Sequence, residues 1–139
     1  MKRAESTARS IAIDIAALIL LRVALSVGAI RHGFSSVSDD DFARTVIAEW
    51  FAYAPKIDPS GTSWLPFPFW ITGAAMMLLG RTIAVAKMVA WGLGSVGVGA
   101  LYLSLRQTGA ARLFSFLAVF VGLLAPWNVW LGVASVPEV

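Results

Sequence analysis

The side chains most capable of chemistry stand together in one polar stretch, Ser38-Asp39-Asp40-Asp41-Phe42-Ala43-Arg44, set between long apolar segments. Three consecutive carboxylates there have two readings: they cap the start of a short surface helix, or they are the working groups of a membrane enzyme. Ser38 followed by Asp41 fits the Ser-x-x-acid pattern of a helix start, and an acidic first turn suits the helix dipole. Like-charge crowding can also raise the pKa of one carboxylate, so that one acid stays protonated beside an ionised neighbour. From sequence physics alone, capping carries more weight. Other chemistry is narrowed by composition. His32 is the single histidine and there is no cysteine, so no histidine-based metal cluster, Ser/His relay, thiolate or disulfide can be assembled.

The element that must position these acids is a short helix. Phe42, Ala43, Val46, Ile47, Trp50 and Phe51 share one face at helical spacing, while Asp41, Arg44, Thr45 and Glu49 lie away from it. The pattern predicts an amphipathic interfacial helix within residues 38–54, ending before Pro55. Asp40 and Arg44 are four residues apart, a spacing that lets them pair.

The flanking sequence sets the class. Hydrophobic residues make up 58% of the chain, charged residues 14%, and mean hydropathy is +0.77. Apolar runs near a bilayer's thickness recur, which predicts an integral membrane protein in contact with lipid. The net charge of +3 comes from scattered basic residues, with no patch suited to nucleic acid. A first span is expected over residues 11–30. Lys2, Arg3 and Arg9 precede it and put the N-terminus in the cytoplasm, the polar stretch outside. A cleaved signal core would be shorter and would not carry Asp14 and Arg22. Asp14 is near enough to the cytoplasmic end to reach headgroups. Arg22 is deeper, where a lipid-facing guanidinium costs about 3 kcal/mol or more, so it is expected to face protein.

After a turn region at Asp58-Pro59-Ser60-Gly61, the sequence Trp64-Leu65-Pro66-Phe67-Pro68-Phe69-Trp70 leads into a short apolar helix over residues 65–80. Its length, roughly 24 Å at 1.5 Å per residue, is marginal for a crossing and comfortable for a helix that dips in from one side. Spans follow over residues 83–105 and 113–133, separated by the basic loop Arg106–Arg112. In the first of these, Ala90 and Gly94, then Ser95 and Gly99, repeat a small-xxx-small spacing that admits a neighbouring helix. Pro126 is expected to kink the second. The expected fold is all-α, a single membrane region of three full spans plus one dipping or short fourth helix. Basic residues alone do not choose between that topology and four full crossings.

In this order, an acidic pair with a trailing arginine after a first span, a Trp-Leu-Pro-Phe-Pro lead-in, two further spans and a terminal Pro137-Glu138 resemble the N-terminal part of integral-membrane glycosyltransferases of the C type. Polyprenyl- and dolichyl-phosphate mannosyltransferases and the lipid A aminoarabinose transferases belong to that group. The resemblance covers most of the chain through short, degenerate motifs. It implies an inner-membrane enzyme that moves a sugar from a lipid-linked phosphate donor to an acceptor hydroxyl on the extracytoplasmic side. By the resemblance, Asp40 or Asp41 is the catalytic base, with Asp40 preferred and Asp39 leaving the register open by one. Arg44 and Glu138 take positioning roles. No cofactor is assigned, although the chemistry is compatible with a divalent metal at the phosphate. The resemblance also implies that Glu138 shares a face with the acidic pair, which favours the dipping helix. Family members are several hundred residues long, so the chain is expected to be a front part that is inactive alone. Two other readings compete: a small non-enzymatic partner subunit, and a transporter fragment with Asp14 and Arg22 as its intramembrane charges.

Overall fold

Two stretches of this chain are long, apolar and free of proline, and each satisfies its own backbone as an unbroken helix. A computed structural model describes residues 2–135, with side chains from residue 8 onward. The helices in chain order are α1 (Lys2–Arg31), α2 (Asp39–Tyr53), α3 (Phe67–Leu79), α4 (Ile83–Gln107), α5 (Arg112–Leu124) and α6 (Pro126–Leu131). No strand occurs among the described residues. Glu138 lies outside them.

Two helices are long and apolar enough to cross a membrane, Ala8–Arg31 within α1 and the whole of α4, with mean hydropathies of 2.2 and 1.5. In each only 17% of the most apolar window is buried. The core helix of a soluble protein would be mostly covered, whereas most residues in these windows are partly or fully exposed.

The chain's third long apolar segment is broken. Residues 113–133, expected as one span, form α5 and α6 with a break at Ala125-Pro126. Proline has no N–H to donate, and its ring would meet the carbonyl one turn back, that of Gly122. That carbonyl instead accepts from the Asn128 side-chain amide at 2.7 Å. α5 alone, 13 residues, is about 20 Å long.

α1 and α4 run antiparallel, and their contacts give the register. Arg22 lies against Gly94, Ile15 Cγ2 would be 3.7 Å from a Cβ on Gly99, and Tyr102 reaches Asp14. The glycines of the small-xxx-small pattern therefore do admit a helix, and it is α1. α5 and α6 then run alongside α1 in the same direction, Arg112 meeting Asp14 and Gly132 lying against Ser26. Leu18, Val98, Tyr102, Val119 and Leu123 fill the space between α1, α4 and α5.

α2 and α3 form a separate hairpin-like pair against the first turns of α4. Ala48, Ala52, Phe69, Met76, Val85 and Ala86 are its core. At Gly73 the helices touch so closely that a Cβ would lie 2.8 Å from the Ala48 carbonyl oxygen. α3 starts at the proline pair Pro66 and Pro68 and ends at Gly80, whose φ of 104° suits glycine alone. Its 13 residues span about 20 Å. Thr82 then caps α4, its hydroxyl accepting from the Val85 N–H at 3.3 Å.

Candidate functional site

The helices bring polar side chains together at two opposite ends. One end holds α2, α3, the start of α4 and the last described residues. The other holds the 107–111 loop beside Asp14. Along α1, Asp14 and Arg31 are about 26 Å apart at 1.5 Å per residue.

At the first end, α2 starts where the sequence predicts it, with Ser38 as an extended N-cap residue. The capping box itself does not form, since the Ser38 side chain makes no capping bond. Nor does Asp41 supply the acid's half of the box. Its carboxylate turns away from the helix start, is 4% exposed, and accepts from Ser135 twice. The Ser135 N–H donates to Oδ1 at 2.8 Å and the Ser135 hydroxyl at 2.7 Å. Thr45, one turn on, completes the arrangement through a hydroxyl–hydroxyl contact of 2.7 Å with Ser135. Asp41 is thus a tether between α2 and the residues after α6.

Its neighbours behave differently. Asp39 and Asp40 are exposed. Among the described residues Asp40 makes no hydrogen bond or ion pair, so the pairing with Arg44 that their spacing allows is not made. Arg44 lays its guanidinium over the Trp64 ring, 5.0 Å from the centroid. This joins the trailing arginine of the acidic stretch to the Trp-Leu-Pro-Phe-Pro lead-in. Of the face of α2 that the sequence marks as apolar, Phe42, Val46 and Trp50 are each about half exposed or more, while Ile47 packs on the α2–α3 core and Phe51 lies against Gly73 of α3. The buried face carries Asp41, Ala48 and Ala52.

Beside this end an apolar groove of ≈ 540 Å³ runs between α1 and α6, lined by Leu25, Gly28, Phe34, Pro126 and Trp130, with exposed His32 at its rim. The first turn of α4 reaches the same end, where Lys87 Nζ donates to the Ser35 carbonyl at 2.6 Å.

The opposite end holds a cluster that residue spacing did not reveal. Arg112 grips Asp14 with two bonds, Nε to Oδ2 at 2.7 Å and Nη2 to Oδ1 at 2.8 Å. Tyr102, fully buried, donates its hydroxyl to the same Oδ2 at 2.5 Å. Asp14 therefore joins α1, α4 and α5 and does not reach out to headgroups. Arg106 closes the adjoining loop by donating to the Ala110 carbonyl. A lone acid in an apolar helix always asks for a partner, but choosing Arg112 and Tyr102 requires the helix register, which the linear sequence does not contain.

Among the described residues no three His, Cys, Asp or Glu side chains converge to hold a metal ion. The three consecutive aspartates diverge around the first turn of α2, one inward and two outward. These residues do not fit a metal. Comparison of the chain with protein-family models, with curated proteins and with solved structures gives no match.

Proposed function

We propose that the chain is the front part of a membrane glycosyltransferase that uses a lipid-phosphate sugar donor, with Asp40 as its base. The observation that carries the reading is the sorting of the acidic stretch. Asp41 is committed to Ser135, while Asp40, one residue earlier, is exposed with no bond among the described residues. A base needs that availability, because it must approach the acceptor hydroxyl within hydrogen-bond reach. In the proposed step Asp40 takes the hydroxyl proton as the acceptor oxygen bonds to the anomeric carbon. The bond from that carbon to the polyprenyl phosphate breaks, and the phosphate leaves with the electron pair. Asp41 holds the α2 start in place, and Arg44, stacked on Trp64, orients it.

The proposed setting is a cell membrane crossed three times, by α1, by α4, and by α5 with α6. α2 lies in the outer interface and α3 dips in from the same side. Three features favour this arrangement: the largely unburied apolar windows of α1 and α4, the exposed Phe42, Val46 and Trp50 of α2, and the shortness of α3. Ser135 on Asp41 also brings the last described residues back to the acidic end, the expectation attached to Glu138 lying outside the described residues. Placing the N-terminal Lys2, Arg3 and Arg9 in the cytoplasm puts the Asp14 end there. Arg31, Arg44, Lys56, Arg81 and Lys87 lie toward the acidic end, so this orientation rests on the N-terminus and not on the whole count of basic residues.

A second reading, a non-enzymatic partner subunit, is favoured by the purely structural use of Asp41. The two separate in a transfer assay with a synthetic polyprenyl-phosphate sugar, on membranes containing the protein at its native length. Asp40→Asn is expected to lower transfer by about 10²–10⁴-fold, the usual contribution of a general base, with protein abundance unchanged. Transfer unaffected by Asp40→Asn would remove Asp40 from the chemistry.

A further inference from the structure

We propose that Arg22 is a docking point for a carboxylate carried by a transmembrane helix from outside this chain. The inference rests on the membrane reading of α1, and not on the transferase chemistry.

Arg22 lies eight residues from Asp14 and nine from Arg31 on one unbroken helix, about 12 and 13 Å along its axis from the two polar ends. That is further than an arginine side chain extends, so snorkelling to either surface is closed to it. Its guanidinium sits against Gly94 of α4, in space that any Cβ at that position would fill. Gly94 therefore makes room for Arg22. Room is all that it gives. Nε is buried without a hydrogen-bond partner, and among the described residues the guanidinium makes no ion pair. The single bond made near it, from the Ser26 hydroxyl, goes to the Arg22 backbone carbonyl.

Among the described residues, this chain's own acids do not answer the charge. Asp14 is held by Arg112 and Tyr102. Asp39, Asp40, Asp41 and Glu49 are on α2, and Asp58 is in the loop beyond it. Glu5 is seventeen residues earlier on the same helix, about 25 Å away along the axis. A second copy would bring the same acids in the same places, so self-association does not supply the missing group either. A lipid phosphate stays at headgroup level. What can reach an arginine at mid-span is the side chain of another membrane helix, and the partner that neutralises it best is aspartate or glutamate.

The test uses the full chain in phosphatidylcholine bilayers, labelled at an introduced Gln107→Cys. Acceptor-labelled leucine-rich transmembrane peptides carry glutamate, glutamine or leucine at their centre. Energy transfer should show the glutamate peptide associating at a peptide-to-lipid ratio at least about tenfold below the leucine peptide, a difference of 1.4 kcal/mol. Arg22→Leu should abolish that preference, and Arg22→Lys should keep part of it. Arg22→Leu loses only an unmatched charge, and a thermal melt no lower than that of the parent chain verifies its fold. The same comparison on Glu138→Gln should leave the preference intact, and loss of it there would assign the pairing to this chain's own terminal acid and overturn the proposal. Equal association of all three peptides, or a glutamate preference that survives Arg22→Leu, would also overturn it. Release of the chain from the bilayer by alkaline carbonate would instead bring down the membrane reading itself.

Discussion

The two ends of the bundle treat their carboxylates in opposite ways. At the Asp14 end one acid meets one bidentate arginine and one tyrosine, and three helices close around them. At the Asp41 end three acids stand in a row, and only the last is drawn inward, where the Ser135 N–H and hydroxyl donate to it. The first pattern is that of a clasp: the charge is matched and its oxygens have donors. The second leaves negative charge at the surface, on the first turn of a helix that also exposes Phe42, Val46 and Trp50. Charge that is matched holds structure, and charge that is left available can act on something else.

That contrast can be broken by substitution. The largest effect expected is the loss of sugar transfer in Asp40→Asn, against little change in thermal stability. Asp14→Asn should do the reverse, lowering the melting temperature while any transfer by the surviving folded protein stays normal. If Asp14→Asn abolished transfer in fully folded protein, the division into clasp and working end would fail.

Next comes the α1–α4 contact. Gly94→Leu should destabilise the protein by about 1–3 kcal/mol, as overpacking does, because the new side chain overlaps the Arg22 guanidinium. Arg22→Ala should recover most of that loss in the double variant. Additive unfolding energies in such a cycle would show that the two residues do not meet. A comparable or smaller effect is expected for Tyr102→Phe, which removes one hydrogen bond to a charged group and should cost about 1.5–3 kcal/mol in detergent unfolding.

Much of the fold is legible in the sequence because helix periodicity and proline are local signals. The start of α2 after Ser38, the start of α3 at the proline pair and the break at Pro126 all follow from residues a few positions apart. The extent of that break does not follow. It turns one expected span into α5 and α6, with the Gly122 carbonyl taken up by the Ala125 N–H and by the Asn128 side-chain amide. The acidic stretch is equally visible, but its internal sorting is not, because Asp41 is drawn inward by Ser135, 94 residues away. The Asp14–Arg112–Tyr102 clasp is invisible for the same reason. Gly94 is read correctly as a packing position, but that it receives a guanidinium depends on a register between α1 and α4 that single-helix patterns do not carry.

The central claim is that the acidic end and the segment after α3 lie on one side of the membrane, with the 107–111 loop on the other. The chain has no cysteine, so single substitutions report cleanly. Ser38→Cys, Thr82→Cys and Gln107→Cys would be treated in intact cells with a membrane-impermeant maleimide, before and after permeabilisation. The account predicts that positions 38 and 82 label from outside, and that position 107 labels only once the membrane is opened. Labelling of position 82 from the side opposite to position 38 would mean that α3 crosses, and the account would be wrong.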